Sequence, residues 1–221
     1  MLGRRAAGAL LLIIAPLSQA ASTPAPAPVP PGTIQSRLVN AGDIRSYGAE
    51  FDFVAKASDA LRIEGGASYV NAVYRKFSNA CYPGQTAALG CDLATGRQSL
   101  AGAPAIGQPK WSANLTGTYD IKTDSLPFDM FIRAGVNWQS KISYSLTNDP
   151  LRYEPGVALV DATIGLIGRE HHWQLLLYGK NLTDRRYYTY LNESDNFISR
   201  VSGNIARDSF RYFGFLLKLS M

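Results

Sequence analysis

The sequence predicts an all-β protein: antiparallel up-and-down strands, seven or eight in number, forming part of a transmembrane β-barrel. Three observations lead there. Strand-length segments recur in which apolar and polar residues alternate, the period of side chains on a strand. Arg62, Arg133, Lys180 and Lys218, within those segments, keep to the polar side. The connections between segments are alternately short and long.

The chain opens with Arg4 and Arg5 ahead of an apolar run, Ala6–Leu17, and then the small residues Ser18 and Ala20. The run is 12 residues long, too short to cross a bilayer as a helix, which takes about 20. Residues 1–20 therefore read as an export signal. Residues 21–33 carry Pro24, Pro26, Pro28, Pro30 and Pro31. Such a stretch is extended and cannot join the interior of a sheet, so it reads as a linker. Residues 34–221 hold the strands.

Each strand has two distinct sides. Ile44–Lys56 sets Tyr47, Ala49, Phe51 and Phe53 against Gly48, Glu50 and Asp52. Leu61–Tyr74 sets Leu61, Ile63, Ala67 and Tyr69 against Arg62, Glu64, Gly66 and Ser68. Trp111–Ile121 sets Trp111, Ala113, Leu115 and Tyr119 against Ser112, Asn114, Thr116 and Thr118. Phe128–Tyr144 sets Met130, Ile132, Val136 and Trp138 against Asp129, Arg133, Asn137 and Gln139. Ala158–Gly168 sets Val160, Ile164 and Leu166 against Asp161 and Thr163, and Trp173–Leu182 sets Trp173, Leu175 and Leu177 against Gln174, Tyr178 and Lys180. The seventh segment, Arg211–Met221, puts Phe213, Phe215, Leu217, Leu219 and Met221 on one side.

Energy favours reading the apolar side as lipid-facing. A Lys or Arg on a lipid face costs about 2–4 kcal/mol at the midplane, and Arg62, Arg133, Lys180 and Lys218 all avoid it. Aromatic residues gather near segment ends (Tyr47, Tyr69, Trp111, Trp138, Trp173), as at membrane interfaces. The opposite side would face a lumen, where Glu50, Asp52, Arg62, Glu64, Arg133, Asp161 and Lys180 are the charged candidates. They read either as a mutually neutralised lining or as contacts for a passing substrate. Gly48, Gly66, Ser68, Thr116, Gly135, Thr163 and Gly214 share that side and suit a wide bore.

Ser58–Ala60, Lys122–Pro127 and Arg169–His172 are short connections; Phe77–Lys110, Ser145–Val157 and Thr189–Arg207 are long. Short periplasmic turns and long outer loops are the pattern of outer-membrane barrels. The longest loop holds both cysteines, Cys81 and Cys91. In an oxidising compartment these are a disulfide candidate, with Pro83, Gly84 and Gly90 to turn the chain between them.

Other chemistry is not indicated. The net charge of +5 is spread without a basic cluster, so nucleic acid is not an expected partner. His171 and His172, the only histidines, sit together on a short turn, which leaves no metal set and no catalytic triad. No cofactor-binding motif appears, and the chain is not expected to be an enzyme.

Four stretches, taken in order, carry a family resemblance. Asn40-Ala-Gly-Asp-Ile-Arg-Ser-Tyr-Gly-Ala-Glu50 and Leu100-Ala-Gly through Pro109-Lys-Trp111 are similar to segments leading into late barrel strands of TonB-dependent outer-membrane receptors. Trp173-Gln-Leu-Leu-Leu-Tyr-Gly-Lys-Asn-Leu-Thr-Asp-Arg-Arg-Tyr-Tyr188 resembles their penultimate strand and its ending, and Arg211-Tyr-Phe-Gly214 opens a segment like their last. The resemblance covers about Ile34 to Met221. It implies an outer-membrane location and a small-molecule ligand of the siderophore, cobalamin or carbohydrate class. It also implies lipid and the barrel-assembly machinery as partners. The assembly signal would be Phe213, Phe215, Leu217, Leu219 and Met221, where Met221 departs from the usual aromatic.

Receptors of this family close a 22-stranded barrel around a plug. Here only the proline-rich linker lies between the export signal and the strands. The expectation is therefore the C-terminal part of a receptor barrel without plug or coupling box, not competent for active uptake alone, with engagement of the energy-transducing TonB partner in doubt. The other reading is a small eight-stranded structural or adhesive barrel, with Thr33–Asn40 as the eighth strand.

Overall fold

The computed structural model describes residues 42–168, 172–193 and 201–220. The export signal, the linker, Thr33–Asn40, His171 and Met221 lie outside the described residues.

In chain order the strands are β1 (Asp43–Lys56), β2 (Leu61–Lys76), β3 (Ser78–Ala80), β4 (Cys91–Asp92), β5 (Arg97–Ser99), β6 (Trp111–Ile121), β7 (Phe128–Gln139), β8 (Ile142–Ser143), β9 (Tyr153–Glu154), β10 (Val157–Gly168), β11 (Trp173–Lys180), β12 (Tyr188–Glu193), β13 (Val201–Ile205) and β14 (Tyr212–Leu219). Seven of them form one sheet in the order β1-β2-β6-β7-β10-β11-β14. Every neighbouring pair in it is antiparallel. These seven are the segments that alternate in the sequence, and the fold is all-β with up-and-down topology.

The long connections differ from plain loops. They build three small sheets: β3-β5-β4, β8-β9 and β12-β13. The fourth alternating segment also ends sooner than its pattern suggests, at Gln139 rather than Tyr144. Ser140 is the reason. Its N–H donates to Trp111 O (2.9 Å), and its Oγ accepts from Trp111 N (3.0 Å). That exchange closes the ladder, and the buried pair Ile142–Ser143 then turns off to bond Tyr153–Glu154.

The short turns are held by polar side chains. Ser58 Oγ accepts from the N–H of Ala60 (3.2 Å) and Leu61 (3.0 Å). Asp129 pairs with Lys122 at 2.9 Å, and its other oxygen accepts from Thr123 N at 3.3 Å. The salt bridge and hydrogen bond hold the Lys122 ammonium above its ordinary range.

Register puts the apolar residues together. The row Leu61–Tyr119–Ile132–Ile164–Leu177–Phe215 crosses six strands on one face. That face is uncovered: Phe213, Phe215 and Leu219 are 71–74% exposed. The buried apolar side chains lie elsewhere. Tyr74, Leu100, Ala105, Ile142, Val157, Leu191 and Ala206 all sit at the loop end or in the long connections. In water, an apolar face of six strands would be far larger than the patch a monomer normally exposes.

The other face is polar and contains rings laid over glycine. A Cβ on Gly165 would strike the ring of Phe131, and one on Gly214 the ring of Tyr178. Each ring covers the backbone of the neighbouring strand where a larger residue would displace it.

Candidate functional site

The registers place Glu50, Asp52, Arg62, Glu64, Arg133, Asp161 and Lys180 on the polar face, opposite the apolar row. They do not converge on one point. Arg62 pairs with Glu64 at 2.9 Å near the turns. Arg133 Nε donates to Thr118 Oγ1 at 3.1 Å on the neighbouring strand. The carboxylate of Asp52 packs against Gly66. Glu50 stands opposite Ser68 and is exposed.

Asp161 and Lys180 belong to a tighter unit. Lys180 Nζ lies 2.6 Å from Asp161 Oδ2, and Asp161 Oδ1 accepts from Asn181 N at 2.9 Å. Asn181 is 2% exposed. Its side chain closes the next turn, Nδ2 donating to Arg185 O and Oδ1 accepting from Arg185 N, both at 3.0 Å. Asn181 and Asp184 both have positive φ, 47° and 50°, a region that Asn and Asp tolerate better than other side chains. Asp184 Oδ1 then accepts from Arg211 N (3.0 Å), tying the turn to the entrance of β14. Asn-Leu-Thr-Asp thus acts as a clasp between the last two strands of the sheet.

At the loop end, two long connections form a cleft of about 510 Å³ whose lining includes Tyr82, Gln85, Gln98, Lys141, Asn148 and Tyr153. Cys81 and Cys91 are joined beside it, with Cα atoms 5.7 Å apart. Gln98 stitches the two connections together, donating to Ala80 O (3.0 Å) and Thr147 O (2.8 Å). Gln85 donates to Gln98 Oε1 at 2.9 Å. Tyr153 donates to Asn148 Oδ1 at 2.5 Å, and Lys141 Nζ stands 5.2 Å from the Tyr153 ring centre. The cleft therefore offers aromatic faces, amides and one cation.

Behind it, Arg152 is buried, its guanidinium donating to Tyr144 O (2.8 Å) and Leu191 O (3.2 Å). Burial pushes the nearby Glu154 carboxyl above its ordinary range, against the Tyr188 N–H and Arg185, which act the other way. Burial, then the Glu154 charge, raises the Tyr144 phenol. At the exposed tip, Thr95 and the Ala94 N–H bond the Asp92 carboxylate and hold its pKa down.

The sequence reading missed the cleft. Gln85, Gln98, Lys141 and Tyr153 follow no alternation and lie on strands or turns of two or three residues. The one local signal was Asn148-Asp149-Pro150, where Asp149 caps the next turn by accepting from Leu151 N. Among the described residues no cluster of His, Cys, Asp and Glu could hold a metal, and no helix is long and apolar enough to cross a membrane.

A family model described as TonB dependent receptor-like, β-barrel matches residues 18–182, most of the chain. The chain belongs to this family. Members of this receptor family are outer-membrane β-barrels, and they are receptors and transporters rather than enzymes. Among solved structures, the receptor barrel is similar to the ferric yersiniabactin uptake receptor of Yersinia pestis, with a TM-score of 0.62 and 19% identity over 81% of this chain and 24% of that one. It is also similar to the siderophore receptor PiuA of Acinetobacter baumannii, with a TM-score of 0.55 and 21% identity over 80% of this chain and 22% of that one. The preacinetobactin receptor of the same organism gives 0.53 and 18%, over 81% and 22%. At these identities the likeness is one of fold. The chain spans under a quarter of the length of each of these receptors. No curated protein matches it significantly.

Proposed function

We propose that residues 43–219 form part of the wall of an outer-membrane receptor barrel, and that the loop-end cleft helps capture a small ligand of the ferric-siderophore class. The observation that carries the location is the inverted burial. The continuous apolar face of the sheet is open, while the buried apolar residues lie among the loops. Lipid is the solvent in which both arrangements are favourable at once.

The charged residues of the polar face then line a water-filled lumen, and Phe213, Phe215, Leu217 and Leu219 form the strand read by the barrel-assembly machinery. The ligand class is supported by the ferric-chelate receptors that share the fold, together with a cleft that combines Tyr82, Tyr153 and Lys141. Rings and a cation suit an anionic aromatic chelate. The cobalamin and carbohydrate classes would use the rings without the cation.

The sheet is not a transporter by itself. Its edge strands, β1 and β14, occupy first and seventh place in an antiparallel series and so run in the same direction. Closing them directly on each other would make a parallel pair, unlike every other pair in the sheet. Direct closure of these seven strands on themselves is therefore disfavoured, and we infer that energised uptake is not a property of these strands alone.

The experiment is to express the full chain with its own leader, isolate outer membranes, and titrate ferric and iron-free siderophores against tryptophan emission. Saturable quenching by ferric chelates, weakened by Lys141→Ala, supports the reading. A soluble periplasmic monomer with full sheet content would remove it.

A further inference from the structure

We propose that the loop-end rim of the apolar face binds the phosphate headgroup of a lipid in the surrounding leaflet, through Arg45 and Lys110 poised over Tyr47 and Tyr69. The proposal rests on the outer-membrane reading above.

The two cations lie on the apolar side of the sheet. Arg45 Cζ stands 5.2 Å from the ring centre of Tyr47, and Lys110 Nζ stands 5.7 Å from that of Tyr69. The two rings meet edge to face at 6.5 Å, and Trp111 packs on Tyr69 at 4.5 Å. Asn71 donates to the Tyr47 hydroxyl at 2.6 Å and fixes that ring. The result is a continuous track, cation–ring–ring–cation, across β1, β2 and the entry to β6. A guanidinium stacked on a ring keeps its in-plane N–H donors free for an oxyanion.

The other end of the sheet shows what such cations do when their charge is met internally. There Lys56 pairs with Asp59, Arg62 with Glu64, and Lys122 with Asp129, at 2.9–3.2 Å. Among the described residues no carboxylate pairs with Arg45 or Lys110. The nearest acid in sequence, Asp43, stands in register with Lys76. The rim therefore presents net positive charge at headgroup depth, where cations attract anionic lipid.

The next row down the face distinguishes a lipid from a free anion. Below the Tyr69–Trp111 pair, Ala67 is paired with Ala113, flanked in register by Phe51 and Trp138. Two small side chains between two large ones leave a shallow trough under the cations. An acyl chain fills it; inorganic phosphate makes no use of it.

The test is run on the full chain in nonionic micelles, so that headgroup selectivity is read whether or not a barrel closes. Tryptophan emission is titrated with phosphatidic acid or phosphatidylcholine carrying the same brominated chains. The expected result is half-quenching at a mole fraction about tenfold lower for phosphatidic acid. Arg45→Gln with Lys110→Gln should abolish that preference, Arg45→Lys with Lys110→Arg should keep it, and inorganic phosphate should not compete. Equal midpoints for the two lipids, or an undiminished preference in the Gln variant with native sheet content, would overturn the proposal. So would competition by inorganic phosphate, which would make this a free-anion site. Failure of the chain to reach the outer membrane would sink the receptor reading and leave the micelle result standing.

Discussion

Phe215, in the middle of β14, is 74% exposed, whereas Tyr74, near the loop end of β2, is 4% exposed. Both are aromatic, and both lie on long antiparallel strands. The difference is where each finds its apolar partners. Tyr74 packs on Phe77, ring centres 4.7 Å apart, and its backbone is bonded by Ala103 and Gly102 of the longest connection. Phe215 has no such cover among the described residues. The loop layer thus carries its own core, small and locked by the Cys81–Cys91 bond and the glutamine contacts. The sheet borrows its core from the medium. Changes to the two regions should have different consequences.

The largest effect is expected from a charge on the borrowed side. Phe215→Lys should cost about 2–4 kcal/mol of folding stability in vesicles, read as a lower denaturant midpoint. Leu216→Lys, one residue along and on the polar face with Lys218, should change it by less than about 1 kcal/mol. Equal losses at the two positions would break the distinction between faces.

Next comes the Cys81→Ser, Cys91→Ser pair. A loop of this size is stabilised by about 2–3 kcal/mol when closed. The loss should be confined to the loop layer: protease should cut residues 77–110 faster while strand content stays unchanged.

Asn181→Ala sits at the seam between the regions. It removes both bonds to Arg185 and leaves the part-buried Arg185 N–H without its acceptor, for a loss of about 1–2 kcal/mol. Asn181→Gly sharpens the interpretation. Glycine accepts the positive φ but restores neither bond, so full recovery in the Gly variant would show that conformation alone is at stake.

The smallest effect is the pH response of Glu154. Its folded pKa lies above the ordinary 4.5, so the folded loop layer binds a proton that the unfolded chain releases. Stability from this group therefore rises as pH falls through the raised pKa toward 4.5, and is lost as pH rises. Glu154→Gln should flatten that slope in loop proteolysis and leave the sheet unaffected.

The division between regions also explains what could be read in advance. Strands of 8–16 residues repeat the alternation often enough to fix their faces and, to within a few residues, their bounds, and a one-residue slip would turn every side chain over. Trp111–Ile121 shows this best, since its alternation and its ladder have the same limits. The two-residue strands β4, β8 and β9 offer no period to detect. Gln85 and Gln98 meet only because a disulfide and three short strands fold back together, a juxtaposition that spacing cannot reveal. The polar-face acids and bases were legible one strand at a time. That Asp161 would reach both Lys180 and the Asn181 backbone depended on the register between β10 and β11, which no single segment contains.

The most direct test of the lipid-facing sheet is a cysteine scan along β14 in isolated outer membranes, labelled with a membrane-impermeant maleimide after mild permeabilisation. Cysteines at 214, 216 and 218 should react readily, and those at 213, 215, 217 and 219 should stay protected until detergent is added. Uniform reactivity on both faces, or protection of the even positions instead, would contradict the account.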